Sequence, residues 1–176
     1  TAGAEIVRVT VNDAAAAEAM PRIVRESNTP LVADIHYDHK MALAALEAGV
    51  AKLRINPGNI GSADKVREVA AAAADRGVPI RIGVNHGSLH RRYAELAAQD
   101  PAGALVQSAV DEIETLAAVG FHDVAVSLKS SKPGEVIDAC RRFSAISDVP
   151  QHLGVTESGT LQAGTAISVA AMSVLL

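Results

Sequence analysis

Short β-branched segments alternate with longer alanine-rich segments along the 176-residue chain. The short segments have the length and residue preferences of strands, and the longer ones carry apolar residues at helical spacing. Strands that alternate regularly with helices form a parallel sheet, because each helix returns the chain to the start of the next strand. The chain is therefore predicted to be an α/β protein built from successive βα units.

Six such units are predicted. Strands are expected at residues 5–11, 31–37, 52–56, 80–85, 123–129 and 151–156, and helices near 13–27, 40–48, 62–76, 101–119, 132–147 and 161–176. Ser62 and Asp100 suit helix N-caps and Gly120 suits a helix end, whereas Pro21 is expected to kink or split the first helix. Since a TIM (β/α)8 barrel has eight units, six predict an incomplete barrel that lacks one strand at each end. The long connection at residues 86–100 is expected to be functional.

The two faces of the predicted strands have opposite chemistry, because successive side chains point to opposite sides of a strand. One parity is apolar: Val7, Val9, Val11, Ala33, Ile35, Leu53, Ile55, Ile80, Ile82, Val84, Val124, Val126, Leu128, Leu153 and Val155. The other parity is polar: Arg8, Thr10, Asp34, His36, Arg54, Asn56, Arg81, Gly83, Asn85, Ser127, Lys129, His152, Gly154 and Thr156, followed by Glu157. A barrel interior is ordinarily filled by Val, Ile and Leu. A polar interior therefore predicts a ligand site.

The polar parity carries an excess of positive charge, from Arg8, Arg54, Arg81 and Lys129. The carboxylates that oppose these cations are mainly those of Asp34 and Glu157. A buried charge is costly unless it is paired, so this excess requires an anionic ligand or bound water. The planar guanidinium group binds phosphate through two parallel hydrogen bonds. A small diphosphate would suit three arginines and one lysine.

Each of these residues also has a structural interpretation. Arginine and aspartate on neighbouring strands can form ion pairs without any ligand, and either His36 or His152 can be a satisfied interior histidine. Asn56 and Asn85 either orient substrate hydroxyls or cap turns. Lys129 is either a phosphate ligand or a Schiff-base lysine. The remaining polar candidates are interpreted as surface or loop residues: His39, His86, His90 and His122.

Composition excludes several function classes. A formal net charge of −4 and 2% aromatic residues provide neither the basic surface nor the stacking side chains that nucleic-acid binding needs. The single cysteine, Cys140, excludes an intrachain disulfide framework and an all-cysteine metal site built from this chain alone, which suggests a cytoplasmic protein. No further ligand accompanies Asp34, His36 and His152, so no metal site is predicted. The longest nearly apolar run, residues 163–176, is too short to span a membrane.

Six motifs, in order over nearly all of the chain, carry a family resemblance. They occupy residues 6–9, 31–36, 53–61, 79–85, 87–89 and 153–157. The LRINPGNIG stretch at 53–61 and the RIGVN strand at 81–85 are the most specific. Together they resemble the family of 4-hydroxy-3-methylbut-2-en-1-yl diphosphate synthases.

The resemblance implies an oxidoreductase of the non-mevalonate isoprenoid pathway. Such enzymes reductively convert 2-C-methyl-D-erythritol 2,4-cyclodiphosphate to (E)-4-hydroxy-3-methylbut-2-enyl diphosphate, with two electrons from ferredoxin or flavodoxin. The electrons pass through a 4Fe–4S cluster, which a C-terminal domain holds on three cysteines and a glutamate. In the homodimer, this C-terminal domain caps the partner subunit's barrel. Residues 1–176 then represent the substrate-binding barrel without the iron–sulfur domain, and the chain alone is expected to be inactive.

By motif, the resemblance also assigns site residues. Arg8, Arg54, Arg81 and Lys129 match the diphosphate clamp. The residues expected to position the substrate ring are Asp34, His36, Asn56 and Asn85. Glu157 is similar to the glutamate that assists proton transfer at the carbon skeleton. Two other readings stay open: another phosphate-binding barrel enzyme, such as a pterin-binding synthase or a lysine aldolase, and a non-catalytic ligand-binding module.

Overall fold

A computed structural model of the chain describes residues 3–176, and within them five strands form one parallel sheet in the order β1-β2-β3-β4-β5. The strands are β1 Val7–Thr10, β2 Leu31–Asp34, β3 Lys52–Ile55, β4 Ile80–Asn85 and β5 Val124–Lys129. Each strand neighbours the one that precedes it in sequence, as successive βα units require. The α/β barrel class predicted from the sequence is confirmed, with five strands instead of six.

Helices occupy the connections between these strands. They are α1 Ala14–Glu26, α2 His39–Glu47, α3 Pro57–Ile60, α4 Ala63–Asp75, α5 Ala94–Gln99, α6 Pro101–Ala117, α7 Pro133–Ser144 and α8 Leu161–Leu175. The long connection after β4 also contains two short 3₁₀ helices, His86–Ser88 and Arg91–Tyr93. None of the helices between residues 3 and 176 has both the length and the apolar character needed to cross a lipid bilayer.

The chain divides into two compact units. The first contains the chain up to Ile82 together with Glu112–Val124, and the second contains Gly83–Asp111 and Ala125–Leu176. The first unit therefore holds β1 to β3 with α1 to α4, and the second holds α5, α7 and α8.

Apolar side chains of the first unit align in rows across its strands. The strand register pairs Ala33 with Leu53 and Leu53 with Ile80, and all three residues are 0% exposed. The next apolar row pairs Ile55 with Ile82, and both are also 0% exposed. The apolar parity predicted for these strands is thus confirmed as a closely packed layer.

Helix ends largely follow the predicted capping residues. Asp100 precedes α6, and its Oδ1 accepts a 3.0 Å hydrogen bond from the Gly103 N–H. Gly120 follows α6 with a φ of 81°, a conformation that glycine adopts without strain. Ser62 occupies the N-cap of α4, although its side chain makes no capping hydrogen bond. α1 continues through Pro21, so the predicted split of the first helix is wrong.

The predicted sixth strand, residues 151–156, is wrong. Only Gln151 forms a β-bridge, with Val126 of β5, and the His152 N–H donates to the Val126 carbonyl over 2.7 Å. The next backbone hydrogen bond to the β5 end joins Thr156 to Ser130 over 3.2 Å. Gly154 lies between these points, and a glycine in a strand interior weakens regular pairing.

Candidate functional site

A polar row crosses β2, β3 and β4 in the first unit. The parallel register pairs Asp34 with Arg54, and Arg54 with Arg81. Side chains of paired residues point to the same side of a sheet, with strands about 4.8 Å apart. The three side chains consequently lie side by side, and they are 4%, 7% and 5% exposed, respectively.

Asp34 is the carboxylate on which the neighbouring cations converge. Arg54 Nη1 donates a 3.0 Å hydrogen bond to Asp34 Oδ1. Arg8 Nε, from β1, lies 3.4 Å from Asp34 Oδ2. The Arg8 side chain is 51% exposed, so this member of the row is in contact with water and does not lie in the enclosed interior that strand parity predicted.

Positive charge exceeds negative charge in this row. Burial, followed by the charges of Arg54 and Arg8, lowers the pKa of Arg81 from 12.5 to about 10, and Asp34 only partly opposes this shift. Protonated Arg81 is therefore destabilised by its surroundings. An anion placed against the three guanidinium groups would relieve that repulsion.

His36 follows β2 and lies beside the polar row. Its Nδ1 is 3.2 Å from Asn12 Oδ1, and its Nε2 is 4.0 Å from Asp34 Oδ1. A cavity of about 420 Å³ is lined here by Val11, Asn12, His36, Tyr37 and Asp38. His36 is 40% exposed in its side chain, so it opens onto this cavity and is not a core histidine.

Asn56 ends the polar parity of β3 and is the N-cap residue of α3. Its Oδ1 is buried and has no hydrogen-bond partner among residues 3–176. α3, Pro57–Ile60, is a single helical turn closed by Gly61 at a φ of 124°. The Gly58 N–H donates to Glu112 Oε2 over 2.8 Å, so this amide is not open to a phosphate.

Two of the other predicted residues, Asn85 and Glu157, line a cavity in the second unit. The cavity has a volume of about 320 Å³ and is lined by Asn85, His86, Gly87, Ser88, Ser130, Ser131, Thr156 and Glu157. Glu157 is exposed, with a φ of 52°. Such a left-handed conformation in a non-glycine residue stores strain, a feature that is concentrated at functional sites.

Lys129 ends β5 and lies against the segment that contains Gly154. A Cβ built on Gly154 would be 3.2 Å from Lys129 Nζ and 3.3 Å from its Cε. The glycine thus leaves the space through which the lysine side chain runs. His152, predicted on the same polar parity, is exposed and is therefore not a buried interior histidine.

The sequence did not identify the carboxylate that neighbours the second cavity. Glu135, on α7, accepts a 2.6 Å hydrogen bond from Ser130 Oγ and a 2.9 Å hydrogen bond from Lys132 Nζ. Its Oε2 lies 3.2 Å from His86 Nδ1. Burial raises the pKa of Glu135, but the Ser130 and Lys132 hydrogen bonds and the His86 charge outweigh burial and leave that pKa lowered. Only the three-residue spacing of Lys132 and Glu135 is visible in the sequence.

The family of the chain follows from comparison with known proteins. Residues 1–176 match the model of the GcpE TIM-barrel domain. The 4-hydroxy-3-methylbut-2-en-1-yl diphosphate synthase (flavodoxin) of Geobacillus kaustophilus (strain HTA426) is 50% identical over 175 residues, which are 99% of this chain and 47% of that protein. The protein of the same name from Bacillus cereus (strain B4264) is 49% identical over 175 residues, with the same coverage. The chain therefore spans about half the length of these curated relatives.

Solved structures show the same fold at low sequence identity. A dihydropteroate synthase from Xanthomonas albilineans, in complex with indole-2-carboxylic acid and 6-chloroguanine, superposes with a TM-score of 0.64 at 16% identity, over 98% of this chain and 69% of that one. The same enzyme in complex with 7,8-dihydropteroate gives a TM-score of 0.61 at 15% identity, over 99% of this chain and 84% of that one. These structures share the fold alone, whereas the match of residues 1–176 to the GcpE TIM-barrel domain model establishes that the chain belongs to that family.

Proposed function

We propose that this chain is the substrate-binding barrel of a 4-hydroxy-3-methylbut-2-en-1-yl diphosphate synthase. The reaction is the reductive conversion of 2-C-methyl-D-erythritol 2,4-cyclodiphosphate to (E)-4-hydroxy-3-methylbut-2-enyl diphosphate in isoprenoid biosynthesis. Relatives that are about half identical over 99% of the chain carry that enzyme name. The proposal extends to a cytoplasmic homodimer of the longer protein.

The observation that carries this proposal is the excess of buried guanidinium charge. Arg54 and Arg81 are almost completely buried, Arg8 adjoins them, and Asp34 is the carboxylate that contacts this group. A cyclic diphosphate brings two negative phosphoryl groups whose oxygens suit paired guanidinium N–H donors. Binding it would stabilise the protonated state of Arg81, whose pKa is now held at about 10.

The remaining site residues take roles that fit their chemistry. Lys129 contributes a further cation to the diphosphate, and Asn85, Asp34, His36 and Asn56 position the ring and its hydroxyl groups. Glu157 is proposed to exchange a proton with the carbon skeleton. Glu157 lines a cavity and has a positive φ, and both features support that role.

Electron delivery falls to groups outside these residues. An iron–sulfur cluster needs several thiolates, whereas this chain has one cysteine, Cys140, which is buried. Burial raises the pKa of its thiol to about 11. Across residues 3–176, no three His, Cys, Asp or Glu side chains are grouped to hold a metal ion. These residues do not fit a 4Fe–4S cluster, and we propose that another part of the enzyme carries it, with flavodoxin as electron donor.

Calorimetry with the cyclodiphosphate tests the arginine site. Arg54→Ala and Arg81→Ala together remove two charge-assisted contacts, each worth about 1.5–3 kcal/mol, so affinity is expected to fall by at least a hundredfold. Arg67→Ala is the matched control, because Arg67 pairs with Asp64 on an exposed helix surface with its side chain 60% exposed. Equal affinities for the parent and the double variant would refute the proposal.

A further inference from the structure

Glu112 is a buried carboxylate that contacts the backbone beside Asn56. It lies on α6 with 4% of its surface exposed, and its Oε2 accepts the 2.8 Å hydrogen bond from the Gly58 N–H. A Cβ at Gly58 would lie 2.5 Å from Glu112 Oε1, closer than real Cβ contacts allow. Only a glycine at position 58 lets the carboxylate approach the backbone this closely.

This contact replaces the usual capping of α3. Pro57 is the first helical residue and has no N–H, so Gly58 supplies the first amide that needs an acceptor. The following amide, of Asn59, donates to the Asn56 carbonyl over 2.9 Å. An N-cap asparagine ordinarily accepts one of these two amides with its side chain, but Asn56 makes no such hydrogen bond. Glu112 accepts the Gly58 amide in its place.

Because Glu112 accepts the Gly58 amide, the Asn56 carboxamide does not cap α3. Its Oδ1 is buried, has no hydrogen-bond partner in the described part of the chain, and would lie 3.3 Å from a Cβ on Gly58. If the Glu112 carboxylate were removed, the Gly58 N–H would become available beside this oxygen. Asn56 would then be expected to turn and cap its own helix, since a buried unpaired acceptor is costly.

We propose that Glu112 is a positioning residue that caps α3 and thereby keeps the Asn56 carboxamide available to a hydroxyl group of the bound substrate. The inference rests on the proposed function, because it takes Asn56 as a substrate ligand. Glu112 acts through Asn56 and makes no contact of its own with the ligand.

A double-mutant cycle on the cyclodiphosphate affinity tests this coupling. Glu112→Ala and Asn56→Ala are each expected to weaken binding about tenfold, and the double variant no more than either alone, since both remove the same contact. Glu112→Gln keeps an oxygen acceptor for Gly58 and is expected to bind within about threefold of the parent. Glu114→Ala, at an exposed position of the same helix, is the control and should leave affinity unchanged.

Hydrogen exchange at the Gly58 amide gives a readout that does not depend on the ligand. In Glu112→Ala, Asn56 becomes the new acceptor, so exchange is expected to be slower than in the double variant, where both acceptors are gone. Equal exchange rates in these two variants would overturn the inference.

If Glu112→Ala does not fold, Glu112→Gln and Gly58→Ala replace it. Gly58→Ala should displace the carboxylate and weaken binding about tenfold, and parent-like binding by it would also overturn the inference.

The outcomes separate the two proposals. If Glu112→Ala binds like the parent while Arg54→Ala does not, the coupling is wrong and the proposed function stands. Fully additive losses in Glu112→Ala and Asn56→Ala also overturn the coupling, because they indicate independent effects. If the parent does not bind the cyclodiphosphate, the proposed function fails, and with it the role of Asn56 on which the inference depends.

Discussion

Asp34 and Arg54 are register partners on β2 and β3, and Arg54 Nη1 donates a 3.0 Å hydrogen bond to Asp34 Oδ1. The same carboxylate lies 3.4 Å from Arg8 through its other oxygen. Both Asp34 and Arg54 are more than nine-tenths buried. One aspartate thus compensates the charges of Arg8 and Arg54, which lie on two neighbouring strands. Its removal should leave both cations less compensated.

Asp34→Asn is expected to destabilise the chain by about 3 kcal/mol, because breaking a buried ion pair leaves an uncompensated charge. Urea unfolding followed by circular dichroism measures this free energy. The control is Asp64→Asn, which breaks an exposed pair with Arg67, side chains 87% and 60% exposed; the expected loss there is below about 1 kcal/mol. Similar small losses in both variants would mean that water already compensates the arginine row.

Arg81→Lys should make diphosphate binding depend on pH. The environment that lowers the pKa of Arg81 from 12.5 to about 10 would also lower the pKa of a lysine at this position below its usual value near 10.4. As pH rises, such a lysine loses its charge before Arg81 does. Calorimetry with the cyclodiphosphate at pH 6 and pH 9 is expected to show a loss of about tenfold in the variant only.

Arg67→Lys provides the control for this pH dependence, because its side chain is exposed and its replacement would keep an ordinary lysine pKa. Parallel affinity profiles for the parent and Arg81→Lys would show that position 81 does not contact the diphosphate.

Strand parity predicted the polar row because side chains alternate between the two faces of a strand, whichever residues of the next strand they pair with. The row of Asp34, Arg54 and Arg81 needed only that each strand be found and that neighbours pair in sequence order. The wrong prediction of a sixth strand has a different origin. Residues 151–156 have strand-like residues but make a single bridge at Gln151, and pairing is a tertiary property that a local pattern does not encode.

Side chains that act from helices were not predicted, for a related reason. Glu112 is 54 residues from Gly58, and on the sequence it is one acidic residue in an ordinary amphipathic helix. Glu135 reaches His86 across 49 positions in the same way. The helical period shows which face a residue occupies, but it does not show which distant backbone amide or ring that face meets.

Gly154→Ala is expected to move the Lys129 ammonium group with little effect on stability. The added methyl would lie 3.2 Å from Nζ, and the end of a flexible side chain can shift by a few tenths of an ångström at a cost below about 1 kcal/mol. If Lys129 binds the diphosphate, affinity should fall severalfold by calorimetry while the urea midpoint stays near that of the parent. Gly134→Ala is the control, since nothing lies within 4 Å of a Cβ there. Unchanged affinity in Gly154→Ala would argue against a diphosphate contact by Lys129.

Glu135→Gln should reduce stability at neutral pH but not in acid. Burial raises the pKa of Glu135, yet hydrogen bonds from Ser130 and Lys132 and the His86 charge lower it further than burial raises it. A carboxyl group whose folded pKa lies below its unfolded value of 4.5 stabilises the fold above that value, and the contribution disappears as pH falls through the folded pKa. The difference in unfolding free energy between parent and variant is expected to be about 1–2 kcal/mol at pH 7 and to shrink as pH falls below 4.5. Glu95→Gln, at an exposed position, should show no such pH dependence. If the unfolding free energies of the parent and Glu135→Gln differ by the same amount from pH 7 to pH 3, the loss comes from packing and not from the charge of the carboxylate.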